Sequence, residues 1–435
     1  LAQALLSIGA ICGDIDVPGG MMIPRCAYDI PDSYGCGMWF LSDEMLGKML
    51  GVETSPLHAL GFDPTANGDT VLNAIETGEP YPIRMQFIQS TNPIANMAAD
   101  APRVYNAMKS VWYNVVVDVF MTPTAIACAD IVLPCGMSAE RNSARVWWWP
   151  LRSIVKVADY YEAKSDEQII LELGKYLHPE RFPWETDEEM MTWWIQAGNR
   201  FHAGWPHKTD QTFQDLREKV IDWPDDWAYR KYELGWLRDD GMPGFNTNTG
   251  RCELYNTLFE AWGFDPLPYY EEPPESPVST PELMEEYPYV LTTGARTWEY
   301  FHSEERQVPR LRANHPDPLV DIHPDAAAKL GVCEGDWIWI ENMRGKCKQR
   351  VRINPSLKPD TVRGEHGWWF PETEGASPNL FGVFDCNINN LTVQGVTGPT
   401  LYGAPYANQI CKLYPVTKEN DMSVSELVVK TGKAK

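Results

Sequence analysis

Three apolar runs separated by helical stretches constrain this chain more than any other feature. Ile83–Ile88 (IRMQFI) reads as a strand and Ala101–Lys109 as a helix; Asn114–Phe120 (NVVVDVF) reads as a second strand and Ile131–Leu133 as a short third. A continuous apolar run needs cover on both faces. Such strands alternating with helices predict a parallel sheet, and in these sheets ligands sit beyond the carboxyl ends of the strands. Upstream, Leu1, Leu5, Leu6 and Ile8 make a helical pattern that stops at Gly13.

From Tyr287 the pattern turns to β. Tyr289–Thr293, Leu319–Ile322, Trp337–Ile340 (WIWI) and Cys347–Ile353 read as strands. Pro324–Leu330 reads as a short helix, with proline in its first turn and Gly331 at its C-terminal cap. Short strands joined by turns such as Met343-Arg344-Gly345 predict a small barrel. The fold class expected is therefore α/β: a parallel-sheet nucleotide-binding domain followed by a C-terminal β-barrel. Between them, residues 160–280 are acidic and rich in tryptophan: Trp184, Trp193, Trp194, Trp205, Trp223, Trp227, Trp236 and Trp262. These read as packing residues in long surface loops, or as an aromatic substrate funnel or partner surface. Tyr269–Pro281 reads as a linker, and the polar tail after Val416 as frayed.

Totals exclude several classes of function. The net charge of −23 argues against nucleic acid as a partner, although a buried pocket can be locally positive in an acidic chain. No run of about 18 apolar residues suggests a membrane span. The ten cysteines are scattered and form no C-x-x-C, so neither a zinc ribbon nor an iron–sulfur cluster is encoded in this stretch. G-x-S-x-G, H-E-x-x-H, Walker A and G-x-G-x-x-G motifs are absent as well.

Five stretches carry polar groups at positions suited to chemistry. Ser90-Thr91-Asn92-Pro93 follows a strand; it is a plain turn or an amide nest for a phosphate. Asp118, with Thr122 four residues on, ends the next strand, where a carboxylate suits ribose hydroxyls or a purine edge. Asp130 opens the third strand. Thr293-Gly294-Ala295-Arg296 leads into Phe301-His302-Ser303-Glu304-Glu305-Arg306-Gln307 and then Arg310 and Arg312. This local positive cluster suits pyrophosphate or a polar heterocycle; the alternative is a solvated helix paired to Glu304 and Glu305. Last, His366-Gly367-Trp368-Trp369 precedes Asn387, Asn389, Asn390 and Thr392, which suggests an aromatic wall with amide partners, or a barrel core with a structural histidine.

Taken in this order, the five stretches resemble the molybdopterin oxidoreductases of the dimethyl sulfoxide reductase family. The opening GDIDVPGG is similar to that family's GN-x-G-x-PGG turn, with Asp14 where asparagine is commoner. STNP, Asp118 with Thr122 and Thr124, and ADIVLP resemble the α/β domain that holds one pterin guanine dinucleotide. TTGAR, FHSEERQ, IHPDAAAKLGVCEGDWIWIENMRG, HGWW and NINNLT resemble the C-terminal dinucleotide-binding barrel, six-stranded and double-psi-like. The WWFPE and NINNLT details look nearest the branch with acetylene hydratase, transhydroxylase and catechol dehydroxylases.

The resemblance implies a bis-(molybdopterin guanine dinucleotide) with molybdenum or tungsten. It implies that Asn92, Asp118, Thr122 and Asp130 contact one guanosine half. Thr293, Gly294, Arg296, His302, Ser303, Arg306 and Gln307 would line the pterin–pyrophosphate path of the other. His366 and Asn390 would lie close to the pterins, with His366 as the catalytic candidate. The family's 4Fe–4S motif and metal ligand lie before the PGG turn, so Cys12, Cys26 and Cys36 are not assigned to metal. The implied organisation is 1–80 from an upstream cofactor domain, 81–160 as the nucleotide domain, 161–280 connecting, 281–425 as the barrel and 426–435 as the tail. The implied activity is two-electron or oxygen/hydroxyl transfer on a small substrate, with an iron–sulfur electron-transfer subunit as partner. A non-redox hydratase or transhydroxylase, or a non-catalytic cofactor-binding subunit, is the alternative. The opening reads as the middle of a fold and shows no leader, which leaves cytoplasm and periplasm both open.

Overall fold

Parallel pairing organises the first part of the fold. The computed structural model describes residues 2–23, 41–54, 66–97, 99–145, 150–197, 210–222, 227–238, 240–392 and 409–434. Trp205, Trp223, Cys26 and Cys36 lie outside the described residues. Strand β1 (Met85–Gln89) pairs in parallel with β2 (Tyr113–Asp118), Met85 opposite Tyr113, and β3 (Ile131–Pro134) continues the sheet beyond β2. Asn114 through Val117 are all buried, as the unbroken apolar run requires. The crossover helix Ala101–Ser110 begins where the Asp100 side chain accepts from Arg103 N and a proline occupies the first turn.

Two compact units emerge, one of residues 1–65 with 134–270, the other of 66–133 with 271–435. The stretch read as one nucleotide domain, 81–160, thus divides at 133/134, and the linker composition at Tyr269–Pro281 falls on the other junction. In the first unit the GDIDVPGG turn is fixed by a fully buried ion pair, Asp16 Oδ1 to Lys231 Nζ at 2.5 Å. A short hairpin, β4 (Ser143–Arg145) and β5 (Arg152–Ile154), packs there. Helices Asp166–Leu177 and Asp187–Ala197 occupy much of the stretch read as loops. Ser165 and three acidic residues, Asp187, Glu188 and Glu189, supply start signals that the tryptophan content obscured.

In the second unit a closed six-stranded barrel runs in the order β10-β6-β11-β8-β9-β7. Its strands are β6 (Tyr289–Thr292), β7 (Leu319–Ile322), β8 (Trp337–Glu341), β9 (Lys346–Ile353), β10 (Thr361–Gly364) and β11 (Gln409–Pro415). Four match the sequence reading; β10 and β11 are additional. β6–β10 and β7–β9 pair in parallel and the remaining ladders are antiparallel. Val320, Ile322, Ile338, Ile340, Val351 and Val362 fill the interior. Helix Pro324–Leu330 starts with proline and ends at Gly331 with φ 68°, a left-handed cap that glycine adopts without a Cβ penalty.

A second core belongs to the same unit. Ile94, Val104, Tyr105 and Val116 from the α/β segment pack with Trp369, Leu380, Phe384, Val424 and Val428. The tail is therefore not frayed: it forms a helix, Val424–Thr431, capped by Ser423, with Val424 and Val428 fully buried. Polar composition hid this, because two valines four residues apart suffice to dock one helical face. Val428→Ala is expected to lower unfolding stability by about 1–3 kcal/mol in urea melts, whereas a frayed tail would shift it by under about 0.5.

Candidate functional site

One buried hydroxyl ties the segment after β1 to the barrel loop that holds His302. Past β1, Ser90 turns the chain with φ 57° and presents Asn92 at the start of helix Pro93–Asn96. Asn92 Oδ1 accepts from Thr124 Oγ1 at 2.6 Å, and its Nδ2 donates to Ser303 Oγ at 3.2 Å. One helical turn on, Asn96 Nδ2 donates to the same oxygen at 2.8 Å. Ser303 is 3% exposed and its carbonyl accepts from Trp369 Nε1 at 2.9 Å. With both lone pairs taken, the Ser303 hydroxyl keeps its proton to donate.

Around Ser303 the loop after β6 folds over the His366 strand end. His302 takes a left-handed φ of 54°, and its Nδ1 lies 3.0 Å from His366 Nε2. A side chain at Gly367 (φ 68°) would bring its Cβ within 2.9 Å of Asn96 Oδ1 and of the His302 carbonyl carbon, so only glycine permits this approach. Arg306, 2% exposed, donates to His302 O at 2.5 Å and His366 O at 3.4 Å. Its guanidinium lies against the adjoining Tyr300 and Trp368 rings, 4.6 Å from each centroid. Burial pushes its pKa down to about 10, so it stays a cation at neutral pH. Among the described residues no carboxylate pairs with it, and its Nε has no partner. Arg296 is exposed and lies 4.2 Å over Phe301. Ala295, Arg296, Tyr300, His302, Arg306, Glu365 and His366 line one cleft.

Electrostatics follow from this geometry. Burial, then His302, Arg306 and Arg296, push His366 down to about 4. Burial, then Arg296 and Arg306, also lowers His302. At neutral pH the pair is uncharged and holds one N–H···N hydrogen bond. At the end of β2, Asp118 accepts from Phe120 N and Thr122 Oγ1, both at 3.3 Å, and burial raises its pKa. Glu304 is raised by burial, by Glu305 and by Asp118 itself, which puts the two carboxylates within each other's field.

Of the sequence-selected residues, Arg296, His302, Arg306 and His366 line this cleft, Asn92 is hydrogen-bonded to Ser303, and Asp118 and Thr122 are hydrogen-bonded to each other at the end of β2. Thr293 is buried at the end of β6, beside Gly294 with φ 61°. Asp130 does not join them. It is exposed, and its Oδ2 accepts from Asn114 N at 2.7 Å, at the opposite end of β2 from Asp118. Asn390 spends its amide on Phe384 O at 2.6 Å and Lys346 O at 3.0 Å. Asn387 and Asn389 donate to Ile94 O and Met97 O, so this loop staples the α/β segment to the barrel. Of the two readings of this stretch, core holds for the tryptophans, with Trp368 0% and Trp369 1% exposed. Sequence reasoning passed over Asn96, although its spacing of four from Asn92 puts both amides on one helical face. It also passed over Tyr300, His315 and Glu365, which no local motif marks.

Residues 289–409 match the family described as Molydopterin dinucleotide binding domain. The chain is 29% identical to the dopamine dehydroxylase of Eggerthella lenta, across 96% of this chain and 47% of that protein. It is 32% identical to the acetylene hydratase of Syntrophotalea acetylenica, across 73% of this chain and 41% of that protein. The solved acetylene hydratase from Pelobacter acetylenicus superposes with a TM-score of 0.77 at 27% identity, covering 92% of this chain and 56% of that one. The chain spans about half the length of the curated relatives it matches.

Two measurements follow from the geometry. Ser303→Ala strands two buried amides and is expected to cost about 1–3 kcal/mol in denaturant unfolding. Because the folded chain holds His366 at about 4, below the ordinary value near 6.5, unfolding takes up a proton between those limits. Stability should therefore fall as pH drops from about 6.5 to about 4, and His366→Gln should flatten that slope in melts across the same range.

Proposed function

Because the chain belongs to the molybdopterin oxidoreductases of the dimethyl sulfoxide reductase family, we propose that it cradles a bis-(molybdopterin guanine dinucleotide) of molybdenum or tungsten for two-electron or oxygen/hydroxyl transfer on a small substrate. One observation carries this reading: Arg296, His302, Arg306 and His366 line one cleft, and Asn92 and Asn96 lock that loop through Ser303 at the carboxyl end of β1. The residues present suit such a ligand. Arg296 offers an exposed cation, Ser303 a spare hydroxyl proton and Arg306 an unpartnered Nε, all beside two neutral imidazoles.

When bound, the metal–pterin group would supply the two-electron chemistry. The chain's own part is orientation and electrostatics. Arg296 offsets pyrophosphate charge. Arg306 spends two N–H groups on the His302 and His366 carbonyls, so it braces the loop and lends its field rather than serving as a free anion ligand. His366, neutral, can donate a hydrogen bond to a pterin or hold a proton for transfer. Asp118 suits hydroxyl or purine N–H groups of a guanosine, with Thr122 fixing its rotamer. In the redox form of the reading, electrons have to enter or leave, which calls for an upstream 4Fe–4S cluster and an iron–sulfur partner subunit.

A second reading, hydration or hydroxyl transfer without net redox, is favoured by the likeness to acetylene hydratase. Cofactor analysis of the full-length protein tests the shared premise. Near-stoichiometric metal and acid-released guanine nucleotide are expected, with Arg296→Ala and Asp118→Ala each weakening retention about tenfold or more. A wild-type protein free of both would refute it. Turnover that consumes electrons from a reduced dye would select the redox reading over the hydratase one.

A further inference from the structure

A second run of titratable groups lies behind the cleft wall, unused so far. His315, 8% exposed, follows helix Pro309–Asn314. Its Nε2 is 2.9 Å from Glu365 Oε2, and its Nδ1 is 3.8 Å from Glu299 Oε2. Glu299 keeps 26% of its side chain exposed and so reaches water. Glu365 is 6% exposed and lines the same cleft as His302 and His366. Its Oε2 also accepts from Leu319 N at 3.1 Å, while its Oε1 is buried without any partner.

The surroundings hold this run in place. Gln349 clamps the Glu365 backbone from both sides, accepting from its N at 3.0 Å and donating to its O at 2.8 Å. Tyr300 Oη donates to His315 O at 2.7 Å. A purely structural histidine–carboxylate pair would have both oxygens satisfied, because an unpartnered buried acceptor is costly. Here the unsatisfied oxygen belongs to a cleft-lining residue, at the far end of a chain that starts in solvent.

The geometry points to Glu299, His315 and Glu365 as a proton relay that carries protons between solvent and the cleft beside His302 and His366. Its use in turnover rests on the cofactor reading above; its existence does not. A proton passes from Glu299, or from a water closing the 3.8 Å gap, to His315 Nδ1. The imidazole releases its Nε2 proton to Glu365 Oε2. Rotation of that carboxyl turns the proton to the unpartnered side and into the cleft, and the ring then changes tautomer. One proton enters, one leaves, and no charge stays behind. The reverse sequence exports a proton.

Histidine-15N-labelled protein prepared without molybdate tests this by the exchange of the His315 ring N–H with water. Despite its burial, that proton is expected to exchange rapidly in the wild type, and about tenfold or more slowly in Glu299→Gln and Glu365→Gln. In the loaded enzyme, Glu299→Gln should lower kcat and raise the solvent isotope effect, with KM and cofactor content unchanged. A protected His315 proton in the wild type, or exchange in Glu299→Gln equal to wild type, overturns the relay. Should Glu365→Gln not fold, Glu299→Gln, at a partly exposed position, decides alone. Loss of cofactor from the wild type would refute the cofactor reading and leave the exchange result standing.

Discussion

The arrangement depends on one oxygen atom. Ser303 Oγ accepts two amides from consecutive turns of the helix that follows β1, and so ties the carboxyl end of the parallel sheet to a barrel loop. Neither half supplies this on its own. The sheet offers Asn92, already fixed by Thr124, and the barrel offers a loop whose left-handed His302 lifts Ser303 into reach. Trp369 then pins the Ser303 carbonyl from within the core shared by both parts. Misplacing that hydroxyl would leave the Asn92 and Asn96 amides without their acceptor, at a cost of about 1–3 kcal/mol in all.

Charge is the second constraint. An acidic chain of net −23 buries Arg306 with no carboxylate ion-paired to it among the described residues. Two carbonyls and two aromatic faces hold that cation instead. A carboxylate partner would have neutralised its field; carbonyl dipoles and ring quadrupoles leave most of it in place. The field falls on His302 and His366 and adds to burial in keeping both imidazoles neutral. The result is a locally positive cleft with uncharged hydrogen-bonding rings, which an anionic heterocyclic ligand can approach without displacing a bound carboxylate.

How much of this was legible in the sequence depends on how far each feature is encoded locally. Val115–Val117 and Trp337–Ile340 declare themselves as strands because their burial follows from the run itself. Pro324 and Gly331 mark both ends of a helix by backbone chemistry alone. The docked tail was misread because few residues carry its packing, chiefly Val424 and Val428, in a polar stretch. Asp130 looked equivalent to Asp118 as a strand-end carboxylate, but one opens a strand and the other closes one, which puts them at opposite sheet ends. Trp368 and Trp369 looked like a wall because sequence cannot say which aromatic faces a core. Glu299, His315 and Glu365 went unseen for a simpler reason: sixteen and fifty residues separate partners that only the barrel closure brings together.

The unsatisfied atoms around the cleft narrow the kind of ligand that fits. Arg306 Nε is a donor without an acceptor, while Asn96 Oδ1 and Gln307 Oε1 are acceptors without donors. A simple anion would satisfy the first and repel the other two. An apolar ligand would satisfy none. A molecule with phosphate oxygens on one part and ring N–H groups on another meets both kinds, because each leftover atom then finds its complement. Mixed polarity of this sort separates a dinucleotide cradle from a bare anion hole, and the match of residues 289–409 to a dinucleotide-binding family points the same way.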